Sequence, residues 1–197
     1  MLALPPAAAP APRRQILVGT ALACAAGAAL VGGMLALWLK FRQEAIDTTG
    51  TWVPEGIKVP LVPANIMLLV FIPICVFAQW AVYAAKRDDK PHTGAALGLV
   101  GLLGIAFINA QANIYARIKM PAAAGSAADG SFNTMFYTIT GVMLTLAIIG
   151  VVFSAVTAFR YLGGRTVDRE VVAAHALYWY FLSVAFTMLW FVVYVTK

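Results

Sequence analysis

Residues 134–159 read TMFYTITGVMLTLAIIGVVFSAVTAF, a stretch without a single charged side chain. A helix needs about 20 consecutive apolar residues to cross the hydrocarbon core of a bilayer. Soluble domains carry about a quarter charged residues, whereas only 11% of this chain is charged and 62% is hydrophobic. The stretch therefore predicts a transmembrane helix, and the composition predicts an integral membrane protein.

The same length test predicts four further membrane spans, which makes the fold all-α. The five spans cover residues 16–39, 64–85, 94–116, 134–159 and 171–195. They form one five-helix membrane domain over residues 16–197. The Ala/Pro-rich residues 1–15 are expected to be an extended or disordered tail.

The first span has an alternative interpretation as an export signal. Arg13 and Arg14 precede an Ala-rich run that holds Cys24, which is typical of some targeting segments. The run is longer than the apolar segment of a signal, and Lys40 closes it. We therefore expect a retained span.

Basic residues in the connecting segments predict the orientation. The N-terminal segment and the loops at 86–92 and 160–170 lie on one side, and they hold eight of the fourteen Lys and Arg residues. The positive-inside rule then places the N-terminus inside and the C-terminus outside. Arg87, Arg160 and Arg165 are expected to contact lipid headgroups. The net charge of +6 is spread over short loops, so no nucleic-acid partner is expected.

Titratable and metal-binding residues are placed unfavourably for chemistry. All eight acidic residues lie outside the predicted spans. Cys24 and Cys75 are isolated in apolar runs, and His92 and His175 are far apart in the sequence. Proton relays and ion paths need ionisable groups inside the membrane. We therefore predict no catalytic residue and no metal site on this chain.

The densest polarity inside a span is Asn109, Gln111 and Asn113 in the third span. Amides in hydrocarbon usually hydrogen-bond to a neighbouring helix, so we expect interhelical or partner contacts here. Gly94 and Gly98 form a GxxxG motif that favours close helix packing. A substrate site of a small transporter is the alternative for the three amides.

Several segments resemble subunit III of the haem–copper terminal oxidases, the cytochrome c oxidase subunit III family. Residues 178–181 (YWYF) and the aromatic tail after them are similar to its last helix, which typically reads YWHFVDVVW. Residues 136–141 (FYTITG) resemble the family's FF..TG, and residues 111–115 (QANIY) its QAYEY. Five spans match the short bacterial form. The motif positions expected to pack against helices or partners are Gln111, Tyr115, Thr140, Gly141, Tyr178, Trp179 and Phe181.

The resemblance implies an accessory role in aerobic respiratory electron transport, in a bacterial cytoplasmic (inner) membrane. Such a subunit binds no haem or copper, which lie on the partner subunits. It packs against catalytic subunit I within a complex that includes subunit II, and it holds phospholipid. The electron donor is cytochrome c or quinol. An accessory subunit of a nitric-oxide reductase and a membrane scaffold are the alternatives.

This chain departs from the family's polar positions. The family's buried glutamate falls at Gly27. The paired histidines of its TGFHGLHV are replaced within 140–147 (TGVMLTLA), and WHFVD becomes WYFLS at 179–183. Proton handling that depends on those side chains is therefore not expected here.

Overall fold

Five long helices make up the fold. The computed structural model describes residues 14–54, 56–57, 59–118, 127–164 and 169–196, without the side chains of 127–131. The helices, in chain order, are α1 Gln15–Thr49, α2 Leu61–Lys86, α3 Lys90–Ile118, α4 Ala127–Leu162 and α5 Arg169–Leu189, and a π-helical segment, Trp190–Val195, extends α5. Five helices in the described ranges are long and apolar enough to span a membrane. This confirms the all-α fold class and the five spans of a multi-pass membrane protein.

The first helix is longer than its predicted span, which ended at residue 39. Its last turns carry charged and polar side chains that pair one turn apart: Lys40 Nζ lies 3.5 Å from Glu44 Oε1, and Gln43 donates to Asp47 Oδ1 at 2.9 Å. Such pairs stabilise a helix in water. The helix ends where Gly50 adopts φ 78°, a conformation that favours glycine. The segment after Leu39 is therefore helical rather than part of a loop.

The fifth helix is the most buried of the five. It packs against α1, α2 and α4, while α3 packs between α2 and α4. Near its C-terminal end the Phe186 ring contacts Phe71 of α2 and Phe107 of α3, with ring centroids 5.4 and 5.0 Å apart, respectively. Helix α5 is more enclosed than α3, for which the GxxxG motif predicted close packing, because three helices surround α5.

One end of the bundle joins the start of α1, the α2–α3 turn and the start of α5. Glu170 Oε1 accepts a hydrogen bond from the Leu17 backbone N–H at 2.9 Å, which satisfies an amide that has no partner within the first turn of α1. Asp88 adopts φ 58° and pairs with Arg169. These are the segments that the charge pattern placed on one side. Which side faces the cytoplasm stays a prediction.

Asp89 caps α3 at this same end. Its Oδ1 accepts from the His92 backbone N–H at 3.2 Å, and its Oδ2 lies 2.7 Å from His92 Nδ1. The hydrogen bond from the His92 side chain lowers the pKa of the Asp89 carboxyl below its ordinary value. This carboxyl lies at the start of the helix, where negative charge is favourable.

Candidate functional site

A buried polar cluster lies between α4 and α5, formed by Ser154, His175 and Trp179. His175 Nε2 lies 2.7 Å from Ser154 Oγ. The Trp179 indole N–H lies 3.1 Å from Ser154 Oγ and 3.0 Å from His175 Nε2. All three side chains are fully buried or nearly so. We call this set the α4–α5 polar cluster.

The hydrogen bonds within the cluster indicate a structural role. Ser154 Oγ also lies 2.9 Å from the Gly150 carbonyl, to which its hydroxyl can donate. The indole can only donate. If His175 carries its proton on Nε2, the serine oxygen accepts from both rings and donates to Gly150, while the buried Nδ1 of His175 has no hydrogen-bond partner. The three side chains hold α4 and α5 together, as interhelical hydrogen bonds do in membranes.

No metal centre is assembled from His, Cys, Asp or Glu over the ranges that the structure describes: no three of these side chains gather there. Cys24 is buried and Cys75 is half-buried, and both are free thiols. The histidine of the α4–α5 polar cluster has a serine and a tryptophan as its neighbours. This arrangement can pack and position helices.

Two glycines make room for the Trp179 ring. A Cβ atom at Gly104 would lie 2.7 Å from Trp179 Cη2 and 2.7 Å from Val151 Cγ2, and one at Gly150 would lie 3.0 Å from Trp179 Cζ2. By contrast, a Cβ at Gly98 would meet nothing within 4 Å. Among the glycines of α3, Gly104 therefore has the closest neighbours.

Gly94, the other glycine of the GxxxG motif, faces a side chain rather than a helix backbone. A Cβ atom there would lie 3.0 Å from Leu162 Cδ2 at the end of α4. The motif therefore contributes a contact at Gly94, while Gly98 stays open in this chain.

A second polar contact links α3 to α4 through Tyr115 and Thr140. Their hydroxyl oxygens lie 2.8 Å apart, and Thr140 also donates to the Phe136 carbonyl on its own helix. A Cβ at Gly141 would lie 4.0 Å from the Tyr115 hydroxyl, so the glycine borders this contact. Gln111 is buried beside it. The structure thus brings together four of the residues that the resemblance indicated.

The other two amides of α3 face away from this contact. Asn109 and Asn113 lie on the exposed side of the helix, and Asn113 Oδ1 accepts from Arg117 Nε at 2.6 Å. They line an open groove of about 430 Å³ together with Val62, Pro63 and Ile66 of α2. We call this the α2–α3 groove. The observed bond of Asn113 runs along its own helix, and contact of Asn109 and Asn113 with a partner stays a prediction. The three amides do not converge on one interior site, which the transporter alternative requires.

Three further aromatic residues of α5 contact α4, α2 and α1. Tyr178 donates to the Leu146 carbonyl of α4 at 2.8 Å, and Tyr180 donates to Gln79 of α2 at 2.6 Å. Phe181 packs on α1, where a Cβ at Gly27 would lie 2.8 Å from its ring. Gln79 and the serine of the α4–α5 polar cluster were not singled out from the sequence, because each is an isolated polar residue in an apolar run.

The arginines expected at lipid headgroups occupy different surroundings. Arg87 is exposed, and its Nε donates to the Tyr83 carbonyl at 3.4 Å. Arg160 is half-buried near the end of α4 and has an interaction partner. Arg165 lies outside the described residues. Contact with lipid stays a prediction for all three.

Comparison with known proteins identifies the family of this chain. The family model for cytochrome c oxidase subunit III matches residues 32–197. Cytochrome c oxidase subunit 3 of Rattus norvegicus is 30% identical over 165 residues, which cover 80% of this chain and 61% of the relative. The Bos taurus protein of the same name is 31% identical over the same shares.

A bacterial relative shows the same similarity. The probable cytochrome c oxidase subunit 3 of Rickettsia bellii is 32% identical over 154 residues, which cover 74% of this chain and 53% of the relative. The chain thus spans between about half and three fifths of the length of these relatives. Because the family model matches most of the chain, this protein belongs to the cytochrome c oxidase subunit III family.

Proposed function

We propose that this protein is a non-catalytic accessory subunit of a haem–copper terminal oxidase in a bacterial cytoplasmic membrane. It binds catalytic subunit I in a complex that includes subunit II. The haem and copper reside on these partner subunits. The family match over residues 32–197 is the observation that carries this proposal. The chain itself supplies packing surface and holds phospholipid.

The interior of the bundle supports a structural role. The buried polar side chains of α4 and α5 bond to one another, and the Tyr115 hydroxyl bonds to Thr140. Gly27, matched from the sequence to the family's buried glutamate, is covered by the Phe181 ring. Ser154, His175 and Tyr115 thus take part in hydrogen bonds between helices, and an apolar ring covers the position of the family's glutamate.

The outer surface supports association with apolar neighbours. All five helices expose large hydrophobic side chains, for example Leu30 on α1, Leu69 on α2, Leu102 on α3, Val152 on α4 and Val184 on α5, with exposed fractions of 52, 60, 62, 56 and 61%. Such a surface suits lipid tails and the flank of a larger membrane protein. A subunit that binds the native form of its partner stabilises that form by mass action.

The orientation proposed here is N-terminus inside and C-terminus outside. The bundle end that holds Lys86, Arg87, Arg160 and Arg169 would then face the cytoplasm. Positively charged segments are retained on that side during insertion. Cysteine labelling at Asp88→Cys and Thr49→Cys in intact cells tests this, with only the second reached by a membrane-impermeant maleimide.

Co-purification tests the accessory role itself. The tagged full chain is purified in mild detergent from its own membranes, alongside an unrelated tagged multi-pass protein as the control. We expect a haem-containing partner with this chain and none with the control. The partner's haem type distinguishes a cytochrome or quinol oxidase from a nitric-oxide reductase. Recovery of a homogeneous, haem-free chain would contradict the proposal.

A further inference from the structure

The α2–α3 groove combines three polar side chains with an apolar wall on the outer surface of the bundle. Asn109, Asn113 and Arg117 follow one another at intervals of four residues, so they form a single row along α3. All three are exposed. The packing of the chain does not explain why three polar side chains lie in a row on an apolar outer surface.

The three polar groups lie at different distances from the end of α3, and therefore at different depths in the membrane. Arg117 is the penultimate residue of α3, which ends at Ile118. With a rise of about 1.5 Å per residue, Asn113 lies about 6 Å and Asn109 about 12 Å further into the membrane. The cation is therefore at the interface, and the two amides lie progressively closer to the hydrocarbon.

The hydrogen bond from Arg117 orients the Asn113 amide. Because Asn113 Oδ1 already accepts from Arg117 Nε at 2.6 Å, its NH₂ group keeps both donors for another molecule. An amide NH₂ group can only donate. Below the cation, the groove therefore offers donors to a ligand that carries acceptor oxygens.

The opposite wall of the groove is apolar and open. Val62 and Ile66 of α2 have exposed fractions of 70 and 52%, and Pro63 lies on the same wall. A matching ligand has an anionic group at the interface, acceptor oxygens on its hydrocarbon side, and then an apolar chain.

We propose that the α2–α3 groove binds one anionic glycerophospholipid of the phosphatidylglycerol type. Its phosphate pairs with Arg117, its ester carbonyls accept from Asn113 and Asn109, and an acyl chain lies along Val62 and Ile66. A headgroup that carries its own cation is disfavoured beside the guanidinium. The inference deepens the lipid-holding part of the proposed function and rests on it; in the proposed orientation this lipid belongs to the outer leaflet.

Native mass spectrometry of the full chain in detergent tests this site. The protein is titrated with phosphatidylglycerol or, separately, phosphatidylcholine, and the fraction carrying one lipid gives the affinity. We expect tighter binding of phosphatidylglycerol. Arg117→Gln should weaken it about tenfold, because a charge-assisted hydrogen bond is lost. Lys40→Gln, which removes an equal charge from an exposed site on α1, should change it less than twofold.

Equal affinities for the two lipids, or an equal loss in Arg117→Gln and Lys40→Gln, would overturn the site. So would loss of the haem-containing partner in Arg117→Gln with unchanged lipid binding, because the groove would then hold a protein neighbour. Failure of the accessory role is separate: the chain would lack a haem partner and still prefer phosphatidylglycerol.

Discussion

Replacing Gly104 by alanine tests the packing of Trp179 between α3 and α4. The new Cβ would lie 2.7 Å from Trp179 Cη2 and 2.7 Å from Val151 Cγ2. Both neighbours are stiff, since one is a fully buried ring and the other is β-branched. The backbone or the ring must shift, and overpacking of this kind typically destabilises by about 1–3 kcal/mol.

Gly98→Ala is the matched control on the same helix. A Cβ at Gly98 meets nothing within 4 Å, so only helix propensity changes, which favours alanine by about 1 kcal/mol. The same gain applies at Gly104 and offsets part of its overpacking. We therefore expect Gly104→Ala to lower the free energy of unfolding by about 1 kcal/mol, and Gly98→Ala to raise it by a similar amount.

Unfolding in mixed micelles of mild detergent and dodecyl sulfate, followed by circular dichroism, measures both variants. The double variant Gly104→Ala with Val151→Ala removes one of the two clashing atoms, so it should recover part of the loss through a non-additive term. If Gly104→Ala proved as stable as Gly98→Ala, the close approach of Trp179 to α3 would be refuted.

Two further predictions concern polar groups. Ser154→Ala should destabilise the bundle by about 1 kcal/mol, the usual value of an interhelical hydrogen bond. This loss should be smaller in a His175→Leu background, because the two side chains share one cluster. Additive losses in the same unfolding assay would contradict the shared cluster. Asp89 has a lowered pKa in the folded protein, so its stabilising effect is present at neutral pH and lost as the pH falls through that lowered value. Asp89→Asn should therefore flatten the decrease in melting temperature below about pH 4, and an unchanged acid profile would refute the contribution of the cap.

The number and position of the helices follow from composition, because lipid requires long apolar runs whatever their packing. The rotation of each helix does not follow. Helices that are apolar on every side have no pattern that distinguishes a buried face from a lipid-facing one. For this reason the GxxxG motif drew attention to Gly98, whereas the close contact is at Gly104, opposite a ring contributed from another helix. The longer α1 could have been found from the pairing of Lys40 with Glu44.

The polar residues of the candidate site divide in the same way. Gln111 and Asn113 are two residues apart, and the helix turn sends one to the interior and the other to the surface. From the sequence alone they form a single polar segment. The family resemblance matched the order of the motifs along the chain, but only the structure separates the side chains that join helices from those on the outer surface of the bundle.

That separation makes the two roles of the molecule independently testable. A subunit that acts through its surface needs an interior that holds its shape, and here the interior polar groups bond across helix pairs such as α4 and α5. Changes at Gly104 or Ser154 should therefore alter the stability of the bundle without altering lipid selectivity. Changes at Arg117 should alter lipid binding without altering unfolding. If interior variants that remain folded lost the preference for phosphatidylglycerol, lipid binding in the groove would depend on the packing of the core. Stability and lipid binding would then not be independent.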